Sequence, residues 1–220
     1  MDWYRSKVKD SLKMICTLCD SKLVHKIDEY YYDCDTCKAI VKDERYYLTS
    51  EEERERYETH NNDVNDIRYQ NFTSPITNYV LDHFLPEHKG LDFGSGTGPV
   101  ISSELSKRGY RIVQYDPFFA PNESVLKNRY DYIVSCEVFE HFYKPKKEIG
   151  HLASMLKTDG ALLIMTLLYN DQMDFSKWFY RKDPTHVFIY TKETIEYIAR
   201  QHKLDIDVLT DRFIALRKLS

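Results

Sequence analysis

Four of the five cysteines stand as two pairs, Cys16-x-x-Cys19 and Cys34-x-x-Cys37, with fourteen residues between them. At that spacing each pair brings two thiolates to one ion, and two pairs complete a tetrahedron. The spacing predicts a Zn²⁺ site of the zinc-ribbon kind, with Cys16, Cys19, Cys34 and Cys37 as ligands. A four-thiolate site leaves no open position for a substrate, so its expected role is structural. A segment of about thirty residues buries too little apolar surface to fold alone, and metal binding would supply the missing stability. A redox dithiol or two unrelated thiol pairs are the competing readings.

A second group of metal-ligating residue types lies further along. In Glu137-Val138-Phe139-Glu140-His141 the ionisable residues fall at i, i+3 and i+4. On a helix they would share one face. His186 follows in Arg181-Lys182-Asp183-Pro184-Thr185-His186-Val187, where Asp-Pro favours a loop. Two carboxylates and two imidazoles make Glu137, Glu140, His141 and His186 candidate catalytic residues and candidate ligands of a second divalent ion. Mixed oxygen and nitrogen donors leave Mg²⁺ or Mn²⁺ open. Such an ion would lower the pKa of a bound hydroxyl. With no ion, His141 or His186 would serve as general base.

The third feature is Leu91-Asp92-Phe93-Gly94-Ser95-Gly96-Thr97-Gly98-Pro99. It joins an apolar strand to a helix. Glycines there permit positive φ and close backbone approach to a ligand. The spacing is GxGxG, not the GxGxxG of dinucleotide binding. Asp116 ends the next apolar run, where a carboxylate can accept ribose hydroxyls.

These features need elements to hold them. The pattern predicts helices over 75–85, 98–108, 146–156 and 191–202, the last capped by Thr191. It predicts strands over 90–93, 111–115, 130–135 and 161–166, and a terminal hairpin of 206–209 with 213–217. Alternation of this kind specifies an α/β fold. The expected architecture is a Rossmann-like, mostly parallel sheet with a C-terminal antiparallel hairpin, plus a small N-terminal zinc ribbon. The stretch between Asp116 and Asp131 is too short for a full strand-helix unit, so one sheet strand is expected to be short or missing. Three segments follow: a zinc-ribbon module over 1–48, a polar linker or lid over 49–72, and the large domain over 73–220. Ser50 and Glu53 have the spacing of a capping box at the linker helix. Tyr57, His60 and Tyr69 are candidate lid residues.

The large domain resembles the class I methyltransferase family, in particular its ubiquinone-biosynthesis O-methyltransferase subgroup. The resemblance covers about residues 73–220. It rests on LDFGSGTG at 91–98, YDP at 115–117, DYIVSCEVFEH at 131–141 and LKTDGALLIMT at 156–166. It implies an S-adenosylmethionine site lined by Gly94, Gly96 and Gly98, with Asp116 on the ribose. Asp92, Phe93, Ser95, Tyr115 and Cys136 would complete the lining. Cys136 by itself reads as a small buried hydrophobe. The segment before DYIVS lacks the family's acidic adenine contact. The Glu-x-x-Glu-His stretch with a later His is also similar to the metal-dependent small-RNA terminal 2′-O-methyltransferases. The resemblance implies methyl transfer to a small-molecule hydroxyl. An RNA acceptor docked by the ribbon is one alternative. A non-catalytic adaptor binding a protein partner through the ribbon is another.

Composition trims these readings. A formal charge of −4 argues against a strongly basic nucleic-acid binder. Arg5, Lys7, Lys9, Lys13, Lys22 and Lys26 form a basic run that is simplest as a solvated face. No apolar stretch approaches the ~18 residues of a membrane span, and the first residues have no signal core, so a cytoplasmic protein is expected. Tyr169, Trp178, Phe179, Tyr180 and Phe188 are candidate walls of an acceptor pocket, or plain core.

Overall fold

The computed structural model describes residues 14–59 and 63–219. Arg5, Lys7, Lys9, Lys13 and His60 lie outside the described residues.

A short antiparallel hairpin system opens the chain: β1 (His25–Lys26), β2 (Tyr31–Asp33) and β3 (Ile40–Lys42). Two helices follow, α1 (Ser50–Glu58) and α2 (Ile67–His83). Then come β4 (Lys89–Phe93), α3 (Val100–Lys107), β5 (Arg111–Tyr115) and β6 (Tyr130–Cys136). The chain continues through α4 (Pro145–Met155), β7 (Leu156–Met165), β8 (Phe188–Ile189) and α5 (Lys192–His202). It ends in β9 (Leu204–Leu209) and β10 (Phe213–Lys218).

The large sheet has six strands in the order β5-β4-β6-β7-β10-β9. The first four run parallel, and β10 pairs antiparallel with both β7 and β9. This is the expected architecture. Only a 3₁₀ turn over Glu123–Lys127 separates β5 from β6, so the strand-helix unit judged too long for that interval is absent.

The central strands are apolar because both of their faces are covered. Tyr132, Val134, Leu163 and Met165 pack toward Ile76, Val80, Ile101 and Leu105 of α2 and α3. Their neighbours Ile133, Leu162 and Ile164 pack toward Ile149 and Leu152 of α4 and Ile195 and Ile198 of α5. The alternation is the period of two that a strand imposes. Thr191 caps α5, its hydroxyl accepting from the Thr194 amide, as expected. Lys203, in a left-handed conformation, ends that helix.

Two expectations shift. The capping box on α1 is Thr49 with Glu52, one residue earlier than Ser50 with Glu53. The helix therefore presents Glu53 inward, where it is buried. Helix α2 begins at Ile67, not 75, because Asp66 caps it by accepting from the Arg68 amide.

The cysteine segment is packed into the rest of the chain. Leu18, Leu23 and Val41 belong to the same apolar cluster as α4 and α5. Strand β3 pairs with β8, Ile40 opposite Ile189 and Val41 opposite Phe188.

Gly90 shows how tightly the sheet is built. It lies opposite Tyr132 across β4 and β6. A Cβ there would sit 2.2 Å from the Tyr132 ring. Gly90→Ala is expected to destabilise the fold by about 1–3 kcal/mol through overpacking. Urea denaturation would show a lower midpoint. An unchanged midpoint would mean that the ring yields freely.

Candidate functional site

Parallel pairing brings the ends of β4, β5 and β6 to one edge of the sheet, and the loops that leave them form the site. After Phe93 the chain turns sharply, with Gly94 at φ +79° and Gly96 at φ +63°. A Cβ on Gly94 would lie 2.4 Å from Val138. The amides of Gly94 and Ser95 donate to the Tyr115 carbonyl at 2.8 and 3.2 Å, which ties the loop to β5. Asp116 is held on both oxygens. Its Oδ2 accepts from the Gly96 amide at 2.9 Å, and its Oδ1 from the amides of Phe118 and Phe119 at 2.8 and 3.0 Å.

A cavity of about 990 Å³ opens over this loop. Its lining includes Phe93, Gly94, Ser95, Gly96, Tyr115, Asp116 and Cys136. Asp92 and Gly98 do not line it. They border a small cleft between α2 and the loop, shared with Tyr69 and Cys136. The Asp92 carboxyl accepts from the Ser102 hydroxyl of α3, and burial pushes its pKa up to about 6.

The same cavity holds the second group. A ligand atom from each of Glu140, His141 and His186 lies within 4.8 Å of the others. The imidazoles of His141 and His186 are 4.9 Å apart, centre to centre. Glu140 is fully buried, and its carboxylate accepts from the hydroxyls of Tyr180 and Thr166. Burial pushes its pKa up to about 7. The ring of His141 has Nδ1 3.0 Å from the Thr185 carbonyl, so Nδ1 carries the proton and donates. Its Nε2, left with a lone pair, is 4.0 Å from Glu140 Oε1. Burial lowers the pKa of His141, and lowers that of His186 to about 3. Burial thus disfavours the charged form of both imidazoles. Among the described residues His186 Nδ1 is buried with no hydrogen-bond partner.

Glu137 departs from the expected set. The chain does not turn α-helical after β6. Glu137 takes a left-handed conformation at φ +52°, and only Phe139–His141 form a 3₁₀ turn. Glu137 therefore stands outside the three-residue group and pairs with Arg212 at 3.0 Å. Burial and the charge of Glu140 raise its pKa, with Arg212 opposing.

Helix α1 supplies residues that the sequence reading gave other roles. Glu53 lines the cavity and accepts from the Tyr57 hydroxyl at 3.3 Å. The Tyr57 ring meets His141 edge-on at 5.3 Å and lines the cavity. The Glu53/Tyr57 spacing of one helical turn was the available signal. Tyr69 also lines the cavity. Of the five aromatic wall candidates, Phe179 and Tyr180 line it. Tyr169, Trp178 and Phe188 pack in the core instead.

The cysteines form a separate cluster. Cys16 and Cys37 sulfurs are 3.5 Å apart, those of Cys19 and Cys34 3.4 Å, and all four lie within 4.8 Å. None is in a disulfide. The knuckles are built alike. Asp20 and Lys38 each follow a pair in left-handed conformation, donating their amides to the carbonyls of Cys16 and Cys34 at 3.0 and 2.8 Å. Tetrahedral thiolates with bonds of about 2.3 Å would place their sulfurs ~3.8 Å apart, close to these spacings. Hydrogen bonds from the Cys16 and Cys37 thiols hold the Cys34 pKa far below its ordinary value, which favours a thiolate there.

The glycine loop, the held acidic residue at the next strand end and the mostly parallel sheet define a Rossmann-like α/β fold with its ligand site at the carboxyl edge. Residues 65–207 match the methyltransferase-domain family. The chain belongs to that family and is an S-adenosylmethionine-dependent methyltransferase. Among solved structures it is similar to a 1,6-didemethyltoxoflavin-N1-methyltransferase of Burkholderia thailandensis, with bound S-adenosylhomocysteine. The TM-score is 0.55 at 14% identity, covering 89% of this chain and 99% of that one. It is also similar to magnesium protoporphyrin IX methyltransferase of Synechocystis PCC 6803, with TM-score 0.51 and 17% identity over 79% of this chain and 96% of that one. An O-methyltransferase family protein of Burkholderia thailandensis matches at TM-score 0.49 and 15% identity, over 75% of this chain and 62% of that one. No curated protein matches. No described helix is long and apolar enough to cross a membrane.

Gly94 gives the site a direct test. An L side chain at its positive φ costs about 1–2 kcal/mol, before the clash with Val138. Gly94→Ala is expected to weaken S-adenosylhomocysteine binding by ~10-fold or more, a loss of about 1.4 kcal/mol. Calorimetry on the folded variant reads this. Equal affinity would remove the loop from the cofactor site.

Proposed function

We propose that this chain transfers a methyl group to a hydroxyl of a small molecule, and that Glu140, His141 and His186 prepare the acceptor oxygen. The observation that carries the reading is their convergence in the cavity that also contains Gly94, Gly96 and Asp116. The cavity volume sits at the upper end of the ~300–1,000 Å³ range of small-molecule sites, which suits two occupants side by side.

The bound donor supplies a methyl group on a positively charged sulfur. A neutral hydroxyl is a poor nucleophile toward it, and it must lose a proton during the transfer. His141 is suited to take that proton. Its Nδ1 is committed to Thr185, which fixes the tautomer and aims Nε2 at the Glu140 side of the cavity. The transfer then forms the oxygen–methyl bond, breaks the sulfur–methyl bond and leaves a neutral thioether. Asp116, held by its three amides, is oriented for the donor ribose, and Tyr57 shields His141 from water.

The same residues fit a divalent ion. One carboxylate oxygen and two neutral imidazole nitrogens would hold it, and the nitrogens favour a Mn²⁺-like ion over Mg²⁺. The unpartnered His186 Nδ1 supports this fit. Bound there, the ion would supply acidity to the acceptor hydroxyl. Glu137, engaged with Arg212, is outside the proposed ligand set. The cysteine cluster, outside the cavity lining, is proposed to hold one structural Zn²⁺.

Labelled S-adenosylmethionine offered with metabolite pools should yield an O-methylated product. His141→Ala should lower turnover by ~10²–10⁴-fold while leaving donor affinity unchanged. Label arriving on nitrogen or carbon would overturn the O-transfer reading. EDTA followed by re-addition of Zn²⁺ alone separates the two acceptor chemistries, since restoring the cysteine-bound zinc recovers turnover at a general-base site and not at a site assisted by a Mn²⁺-like ion.

Metal analysis of protein purified without chelator should return about one equivalent of zinc. Cys16→Ser with Cys34→Ser should abolish it. Protein with four free thiols and no metal would defeat the zinc assignment.

A further inference from the structure

We infer that the cysteine cluster is the positioning frame for His186, with Tyr31 as the residue that connects them. The inference rests on the proposed role of His186 in the acceptor site.

Tyr31 lies on β2, three residues before Cys34, and is 2% exposed. Its hydroxyl donates to the His186 carbonyl at 2.8 Å and lies 3.3 Å from the Arg181 carbonyl. This contact spans 155 residues of sequence. It is one of several that fasten the segment 181–191 to the cysteine module. Strand β3, which follows Cys37, pairs with β8 immediately after His186. The Lys42 amide donates to the Val187 carbonyl at 2.9 Å, and the Lys42 ammonium to the Pro184 carbonyl at 2.5 Å. Asp28 pairs with Arg181, and the Thr191 hydroxyl donates to the Lys38 carbonyl at 3.2 Å.

The other side of the segment holds the catalytic turn. The Val187 amide donates to the Glu140 carbonyl at 2.8 Å, and Thr185 accepts from His141. The segment is thus clamped between residues 28–42 of the module and the Glu140–His141 pair. Neither helix nor large-sheet strand includes His186; β8, the strand beside it, exists as part of the module's four-stranded sheet. The module's three strands are only two or three residues long, so a cross-link at the cysteines would fix their mutual register. Loosening the cluster therefore releases β3, then β8 and His186. The donor side is independent of this path, because the glycine loop is tied to β5, and β4, which leads into it, to α3.

The test compares full-length protein as purified, the same protein after zinc chelation, and Tyr31→Phe, which removes one hydroxyl and keeps the ring. Amide hydrogen exchange at 187–189 should rise ~10-fold or more in the last two relative to the first. The His186 imidazole ¹⁵N resonance, assigned with His186→Asn, should shift in both. Affinity for S-adenosylhomocysteine and exchange at 94–98 should stay unchanged. A chelated sample that unfolds throughout hands the decision to Tyr31→Phe. Unaltered exchange and resonance in Tyr31→Phe would overturn the inference. His186→Asn also separates this inference from the functional reading. Full methyl transfer in that variant removes His186 from the acceptor chemistry, and the exchange data still decide the coupling.

Discussion

A carboxylate with no solvent-exposed surface sits where four parts of the chain meet. Glu140 follows β6, takes hydroxyl donors from Thr166 beyond β7 and from Tyr180, and gives its backbone carbonyl to Val187. Burying such a group is costly unless its oxygens are satisfied. The two hydroxyls meet that need and fix the distance between the sheet edge and the long segment after β7. Even so, the pKa remains raised, from 4.5 to about 7. The folded state therefore holds the proton more tightly than the unfolded chain. Its contribution to stability falls as pH rises through that interval. A fold that retains such a group at a cavity wall gives up stability for a concentrated negative charge beside neutral imidazoles. That is an arrangement suited to a cation or to proton transfer.

Much of the fold was legible because its signals are local. Apolar runs such as YDYIV and ALLIM, the Gly-rich turn after β4 and the Thr191 cap each state their element within a few residues. The short interval between Asp116 and Asp131 also showed that the sheet would lack a unit, because chain length alone limits what can be built. The two errors at helix starts differ in size: on α1 the competing caps are one residue apart, whereas α2 begins eight residues before its expected start because Asp66 caps it. Only the packing of Glu53 or the side chain of Asp66 could choose between them.

The site was less legible, for a physical reason. Spacing at i, i+3 and i+4 groups residues only if the backbone is helical. After β6 the backbone crosses to a left-handed residue at Glu137, which redirects that side chain to Arg212 of the terminal hairpin. The grouping of Glu140 with His141 survives the 3₁₀ turn because the two are adjacent. His186 joins them through tertiary contacts that no local pattern encodes. Glu53 and Thr166 came from separate elements and were missed for the same reason.

The absent strand-helix unit and the cysteine module bear on one problem. In the proposed site the donor would lie over the ends of the first parallel strands, and the long segment after β7 would wall the acceptor. That segment contains little regular structure of its own: a 3₁₀ turn over Tyr180–Lys182 and the two residues of β8. A loop so long pays heavily in conformational entropy to hold one histidine in place. Strand pairing with β3 and the Tyr31 contact remove much of that freedom through backbone hydrogen bonds whose geometry is strict. The cysteines then matter less as a separate domain than as the anchor of a wall. A cross-link there would order β2 and β3, and those strands pair with and bond the segment that carries His186.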